Sequence, residues 1–188
     1  MISEIKRAKF RQNFEVTDTD GDGKITKRDN LATADNLITV LKLDPASPPA
    51  QLLKAQYARY WDALVASDLA QKDAVTVDEW IEHFNRISMD AKRLEEILLG
   101  RAELVMKLFD ADHDQRISKA EWATFFSALG QHQKHAEMAF AKLDRDHDGH
   151  LTFDEIRTAY REFYASDDAE APGNWFFGDY TKHLHSAI

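Results

Sequence analysis

The amino-acid sequence predicts an all-α protein, a compact globule of four helix-loop-helix units arranged in two pairs. Apolar residues recur at helical spacing through nearly every long segment, and no run alternates as a half-buried strand does. Short Asp-rich stretches interrupt this helical pattern. The last two of them begin 34 residues apart, at Asp110 and Asp144, which is a natural spacing for adjacent helix-loop-helix units.

Apolar residues mark each predicted helix in chain order. In the first half they are Phe10, Phe14, Leu31, Leu37, Ile38, Leu41, Leu53, Tyr57, Tyr60, Trp61, Leu64, Trp80, Ile81 and Phe84. The segment Lys42–Ala50 holds three of the four prolines and therefore predicts a break between helices. This half, residues 1–90, is the predicted N-terminal pair of units.

The second half repeats the arrangement over residues 91–164, which form the predicted C-terminal pair. Its helical positions are Leu94, Ile97, Leu98, Leu104, Val105, Leu108, Phe109, Trp122, Phe125, Phe126, Leu129, Phe140, Leu143, Ile156, Tyr160 and Phe163. Residues 165–188 begin with a turn-rich linker and end in an aromatic stretch. We expect this tail to pack on the core.

Three twelve-residue stretches share one pattern of oxygen-bearing side chains. They are DTDGDGKITKRD (Asp18–Asp29), DADHDQRISKAE (Asp110–Glu121) and DRDHDGHLTFDE (Asp144–Glu155). Each has Asp at positions 1, 3 and 5, an aliphatic residue at 8, Ser or Thr at 9 and a carboxylate at 12. This is the EF-hand pattern, in which a coiled loop directs about six to eight oxygens at Ca²⁺. The sequence therefore predicts three calcium sites.

Each loop position has its own role in holding the ion. Positions 1, 3, 5 and 12 offer carboxylates, position 7 offers its backbone carbonyl, and position 9 can act through water. The predicted ligands are Asp18, Asp20, Asp22, Lys24, Thr26 and Asp29; Asp110, Asp112, Asp114, Arg116, Ser118 and Glu121; and Asp144, Asp146, Asp148, His150, Thr152 and Glu155. Position 8 points into the core and, in paired units, can join a short ladder between loops.

The three loops differ in detail. The last matches at every position, including Gly149 at position 6. The middle loop has Gln115 there, where a left-handed turn favours glycine, at a cost of order 1 kcal/mol. We expect it to bind, more weakly or with slower ordering. The first loop ends in Asp29, one methylene shorter than Glu, which lowers coordination toward the octahedron that Mg²⁺ demands. We therefore expect Mg²⁺ to compete with Ca²⁺ especially at this loop.

A fourth loop, DLAQKDAVTVDE (Asp68–Glu79), occupies the place of the missing partner unit. It fits the pattern at positions 8, 9 and 12, but Ala70 and Lys72 stand at positions 3 and 5. A cation there would meet a lysine ammonium in place of a carboxylate. On ligand count a fourth calcium site is disfavoured, and the loop is interpreted as a structural partner of the first.

Composition limits the partners. The formal net charge of -9 disfavours nucleic acid and anionic membranes, and three divalent ions would bring it to -3. The chain has no cysteine, which excludes disulfides and thiolate metal sites and fits a reducing cytosol. Its N-terminus lacks the continuous apolar region of a signal peptide, and no stretch is long enough to cross a bilayer. A cytoplasmic monomer is expected.

The layout of the chain resembles the sarcoplasmic calcium-binding proteins; bacterial proteins of the calerythrin type, coelenterazine-binding proteins and photoproteins share it. The resemblance rests on four units with a degenerate second loop, the long spacing from Asp18 to Asp68, and the terminal segment APGNWFFGDY (Ala171–Tyr180). It implies two EF-hand pairs in one globule and a cytosolic calcium and magnesium buffer. Gln115 departs from the pattern.

Two other functions are open. A sensor would expose apolar surface to a protein target, but sensors use Met-rich grooves and this chain has four methionines, so no such target is indicated. A carrier would hold an apolar small molecule of luciferin type in a cavity. Its candidate lining is Trp61, Trp80, Trp122 and Trp175, for which core packing is the simpler interpretation. No nucleophile signature is present, and an enzyme is not expected.

Overall fold

A computed structural model describes residues 2–66 and 73–185. Its helices are α1 (Glu4–Thr17), α2 (Lys27–Val40), α3 (Pro48–Ala66), α4 (Val77–Met89), α5 (Ala91–Phe109), α6 (Lys119–Ala128), α7 (Gln133–Leu143) and α8 (Phe153–Ala165). The strands are β1 (Lys24–Thr26), β2 (Ala74–Thr76), β3 (Arg116–Ser118) and β4 (His150–Thr152). Two 3-10 turns follow, Pro172–Trp175 and Thr181–His183. No helix in these two ranges is long and apolar enough to span a membrane.

Each intact loop begins where a helix ends. The residue at position 1 is the C-cap of the entering helix, and its backbone N–H donates to the carbonyl four residues earlier. These bonds measure 2.8 Å for Asp18, 3.1 Å for Asp110 and 2.9 Å for Asp144. The exiting helices α2, α6 and α8 start directly after the loop strand. The acidic stretches are therefore loops between helices, as the sequence predicts.

Two antiparallel ladders join the loops in pairs. β1 pairs with β2 and β3 pairs with β4, with Ile25 opposite Val75 and Ile117 opposite Leu151. All four side chains are fully buried. The ladder expected for position 8 is thus present in both pairs, and the fourth unit is the structural partner of the first. Its unfavourable positions 3 and 5, and Asp68 itself, lie outside the described residues.

The two pairs share one core. The ring of Phe10 in α1 lies 5.9 Å from that of Phe84 in α4 and 6.2 Å from that of Phe163 in α8. Only Asp90 separates α4 from α5, and its side chain caps α5 by accepting a hydrogen bond from the backbone N–H of Arg93 at 3.0 Å. The prediction of a compact all-α globule with two EF-hand pairs is confirmed.

The C-terminal tail covers part of this core. Phe176 and Phe177 are buried, and their rings lie 5.3 Å from Trp122 and 4.9 Å from Phe163. The tail backbone approaches α8 so closely that a Cβ on Gly173 would lie 2.3 Å from the carbonyl oxygen of Ala159. Glycine is required there because no side chain fits.

Candidate metal centres

Each of the three loops gathers carboxylates around one centre. The clusters are Asp18, Asp20 and Asp22; Asp110, Asp112 and Glu121; and Asp144, Asp146 and Glu155. Within each cluster the candidate ligand oxygens lie within 4.8 Å of one another. Hard divalent cations such as Ca²⁺ and Mg²⁺ select carboxylate oxygens in this kind of arrangement. Nine of the predicted ligands are therefore brought together in three groups.

Two hydrogen bonds recur in the first half of every loop. The carboxylate at position 1 accepts from the backbone N–H at position 6, at 2.9 Å in the first loop, 3.0 Å in the second and 3.1 Å in the third. The carboxylate at position 5 accepts from the N–H at position 7, at 2.9, 2.8 and 2.9 Å. These contacts fix the orientation of the acidic side chains within each loop.

The middle loop follows the same path without glycine at position 6. Gln115 has a φ of 66°, compared with 83° for Gly23 and 87° for Gly149. Its backbone N–H still donates to Asp110, at 3.0 Å. Gln115 adopts the left-handed conformation that the loop requires, and the strain is of order 1 kcal/mol.

The carboxylate at position 12 joins the two ends of its loop. Glu121 accepts through Oε1 from the backbone N–H of Ala111 at 2.7 Å and through Oε2 from that of Ser118 at 2.8 Å. The Ser118 hydroxyl accepts in turn from the N–H of Glu121, which completes a capping box. Burial raises the pKa of Glu121, but the hydrogen bonds from Ser118 and Ala111 outweigh it and lower that pKa. Glu155 is held in the same way.

Asp29 makes the same connections with a shorter side chain. Its Oδ1 accepts from the Thr19 backbone N–H at 3.1 Å, and its Oδ2 accepts from the Thr26 N–H at 2.9 Å. Burial raises the pKa of Asp29, but hydrogen bonds from Thr26 and Thr19 hold it below the usual carboxyl value. Asp29 is not a member of the first cluster, which consists of the Asp residues at positions 1, 3 and 5.

Asp144 tests independently whether a cation fits. Its side chain is buried, and Oδ2 accepts from the N–H of Gly149 at 3.1 Å. Its Oδ1 is buried without a hydrogen-bond donor in the described part of the chain. A buried carboxylate oxygen without a partner is costly, and a bound cation would satisfy it. The third loop thus fits a divalent metal.

Two predicted ligands at position 5 lie outside the clusters. Asp114 accepts from the backbone of Arg116, and Asp148 accepts from that of His150. In addition, Nη1 of Arg116 donates to Oδ2 of Asp148 at 2.9 Å, which links the second loop to the third. The sequence pattern predicts only that the backbone carbonyl of Arg116 binds the ion. It does not predict the ion pair with Asp148, because that pair depends on the β3–β4 register.

The remaining predicted ligands belong to the ladders. Position 7 is the first residue and position 9 the last residue of each loop strand. They are Lys24 and Thr26 in β1, Arg116 and Ser118 in β3, and His150 and Thr152 in β4. Each position-9 residue is also the N-cap of the exiting helix. Ladder, cap and ligand position therefore depend on one another.

A cavity of about 340 Å³ lies where the two pairs meet. Its lining includes Asn13, Asn30, Tyr57, Trp80, Arg101 and Tyr160. Of the four tryptophans considered as candidate lining, Trp80 contributes, whereas Trp61, Trp122 and Trp175 do not. The sequence gives no sign of the polar members of this set, because they come from distant helices.

Comparison with known proteins agrees with this geometry. The "EF hand" family model matches residues 10–29, and the "EF-hand domain pair" model matches residues 101–161. With the carboxylate pattern of the loops, these matches identify EF-hand units in both halves of the chain.

Three known proteins are similar to this chain over most of its length. Calerythrin from Saccharopolyspora erythraea is 26% identical over 177 residues, which cover 87% of this chain and 94% of calerythrin. Clytin from Clytia gregaria is 27% identical over 181 residues, covering 90% of this chain and 86% of clytin. The calcium-loaded apo form of the coelenterazine-binding protein from Renilla muelleri superposes with a TM-score of 0.70 at 24% identity, covering 95% and 99% of the two chains. The chain is thus similar in sequence to calerythrin and to the photoprotein clytin, and it shares the fold of a coelenterazine-binding protein, as its layout predicts.

Proposed function

We propose that the protein is an intracellular calcium and magnesium buffer with three metal sites. The observation that carries this proposal is the cluster of carboxylates in each of the loops that begin at Asp18, Asp110 and Asp144. Backbone hydrogen bonds fix the orientation of the carboxylate at position 1 of each loop. A buffer needs such sites alone, whereas a sensor also needs the binding step to move its helices.

The proposed ligands are the residues at positions 1, 3, 5, 7, 9 and 12 of each loop. Bound Ca²⁺ would supply the positive charge that offsets the repulsion within each acidic cluster. We further propose three units along the chain: residues 1–90 with one site, residues 91–164 with two, and residues 165–188 as a cover for the core. Charge balance supports the count, since three divalent ions reduce the formal net charge of -9 to -3.

The packing of the tail supports a buffer over a sensor. A sensor offers an apolar groove to its target when calcium binds. Here Phe176 and Phe177 already occupy the core against α6 and α8. Calcium should therefore cause no increase in the binding of an apolar dye. A strong calcium-dependent increase would favour the sensor instead.

We propose that the first loop has the highest Mg²⁺ occupancy. Asp29 is one methylene shorter than the Glu at position 12 of the other two loops and lies outside the first cluster, so the loop offers fewer oxygens to the ion, which suits the octahedral preference of Mg²⁺. Replacing Asp29→Glu should shift this site toward Ca²⁺, as measured by site-resolved competition. Exclusion of Mg²⁺ from the first loop, with acceptance by the other two, would contradict the proposal.

Calorimetric titration with calcium in millimolar magnesium tests the site count. Three sites are expected, and Asp18→Asn, Asp110→Asn and Asp144→Asn should each remove one. The matched control is Asp154→Asn, because that exposed carboxylate lies at position 11 of the third loop, which is not a ligand position, and outside its cluster. A count of two in the unmodified protein would remove the Gln115 loop from the proposal, and a count of four would add the Asp68 loop.

The cavity favours a second candidate function, carriage of an apolar small molecule. Its volume of about 340 Å³ falls within the range of small-molecule sites. Three residues of the lining each have a buried polar atom without a hydrogen-bond partner among the described residues. They are Asn13, Asn30 and Trp80. Such atoms favour a ligand that supplies the missing hydrogen bonds. Retention of an aromatic molecule in native mass spectrometry would support this candidate.

A further inference from the structure

Arg101 is the charged residue of the cavity lining. It comes from α5, and its guanidinium carbon lies 5.5 Å from the ring centre of Tyr164 and 6.0 Å from those of Tyr60 and Phe84. Cation–π contacts of this kind hold a guanidinium in an apolar setting and still leave its N–H groups free to donate. The chain thus places a fixed positive charge against an aromatic wall.

Among the described residues this charge has no carboxylate partner. Within residues 2–66 and 73–185 Arg101 makes no ion pair, and its polar contact is with the Tyr60 hydroxyl at 3.5 Å. By contrast, Arg145 pairs with Glu162 at 2.6 Å and Arg161 pairs with Glu95 at 2.7 Å. A guanidinium has five N–H donors, so most of those on Arg101 are unused. A half-buried cation in this state favours an anion from outside the chain.

The other unpartnered groups of the cavity are mainly donors. Nδ2 of Asn30 and Nε1 of Trp80 are donors without acceptors, and Oδ1 of Asn13 is an acceptor without a donor. These three side chains are at most 4% exposed. Tyr57 brings no negative charge that would repel an anion. Burial raises the pKa of its hydroxyl to about 12, so the side chain is neutral near neutral pH. The cavity therefore combines apolar walls with an excess of hydrogen-bond donors.

We propose that the cavity binds an apolar molecule that carries one carboxylate, and that Arg101 binds the carboxylate group. This inference rests on the carrier candidate described above and names its ligand class. The aromatic and aliphatic lining accepts the body of the molecule, and the planar guanidinium matches the two carboxylate oxygens. The donors of Asn30 and Trp80 remain for further acceptor atoms on the ligand.

A matched pair of probes tests the proposal on the full chain saturated with calcium. Naphthalene carboxylate and its neutral carboxamide have nearly the same shape, and calorimetry measures both affinities. The carboxylate should bind more tightly, and Arg101→Met should weaken it by about 10- to 100-fold, the range of a charge-assisted hydrogen bond, without weakening the carboxamide. Arg93→Met, an exposed change on the same helix, should leave both affinities unchanged.

The possible outcomes distinguish the preference for a carboxylate from the carrier function itself. Equal binding of both probes would overturn the preference for an anion while leaving the carrier function in place. Failure of both probes to bind would overturn the carrier function as well, but not the three metal sites. Arg101→Lys keeps the charge and loses the planar fork, so it should give an intermediate affinity. If Arg101→Met fails to fold, the question is decided by Arg101→Lys and by the ratio of the two probe affinities on the unmodified protein.

Discussion

At the scale of single residues, the buried side chain of His83 makes the stability of the fold depend on pH. It is 7% exposed, and its ring packs edge-on against Phe84 with centroids 5.2 Å apart. Burial, with the positive charges of Arg93, Arg86 and Arg101, lowers the pKa of His83 to about 4. The unfolded chain then binds a proton that the folded chain excludes between about pH 6.5 and 4, so this residue destabilises the fold as pH falls through that window.

We expect His83→Gln to remove this dependence. The calcium-saturated protein should lose about 1–2 kcal/mol of unfolding free energy through His83 between roughly pH 7 and 5, and the variant should not. Urea unfolding at both pH values measures the difference. His185→Gln, at an exposed position, is the control and should behave like the unmodified protein. Identical pH profiles for His83→Gln and the unmodified protein would contradict the assignment.

Arg116 is the residue that connects two metal loops. Its guanidinium lies 2.9 Å from Oδ2 of Asp148, a predicted ligand of the third site. Arg116→Gln removes a positive charge that competes with the incoming ion, so calcium affinity at the third loop should rise about two- to fivefold, the range of a surface ion pair. Calorimetry measures this change, and Lys24→Gln, the same position in the first loop, should not alter the third site. Weaker binding would mean that Arg116 positions Asp148 instead.

At the scale of elements, Lys9 ties α1 to α8 and to the tail. It is fully buried, and its Nζ donates to the carbonyl oxygens of Glu162 and Ser166 at 2.9 and 2.8 Å and to Oδ1 of Asn174 at 2.8 Å. The ammonium thus caps two carbonyls at the C-terminal end of α8, that of Ser166 and that of Glu162, which also accepts from the Ser166 N–H. Three elements that are distant in sequence meet at one side chain.

We expect Lys9→Met to cost about 2–4 kcal/mol of stability. The substitution keeps the length of the side chain but removes the donor shared by the three acceptors, of which Oδ1 of Asn174 is buried. Chemical unfolding in saturating calcium measures the loss. Lys27→Met is the matched control, since Lys27 forms an exposed ion pair with Asp62 at 3.5 Å and should lose less than about 1 kcal/mol. A loss no larger than the control's would show that Lys9 is not a structural link.

At the scale of the whole molecule, the loops were predictable and the long-range packing was not. Ligand positions follow from spacing within twelve residues, and even the left-handed Gln115 follows from its place in the loop. Lys9 and Arg101 look like ordinary surface charges on amphipathic helices. Their burial depends on which helices meet, and Gly173 likewise has a role only because the tail lies against α8.

Metal removal should loosen the entire globule. Without ions the carboxylates within each of the three acidic clusters repel one another. Because the two pairs share one core, this repulsion should destabilise the packing of the interior as well. Chelation of calcium should lower the melting temperature and increase the binding of an apolar dye, and added Mg²⁺ should reverse part of both effects. Calorimetry and dye fluorescence on the same sample measure this. Unchanged melting after chelation would contradict the coupling.

The ladder between β1 and β2 determines which mutations the fourth loop can accept. Ile25 and Val75 face each other in the core, whereas Ala70 and Lys72 supply no carboxylate at positions 3 and 5 of the fourth loop. We therefore expect the early positions of that loop to tolerate substitution and its strand to resist it. Among natural variants, substitutions should accumulate at positions 1 to 6 and be rare at Val75 and Thr76. The constraint on the loop would then come from the strand of its neighbour and not from an ion.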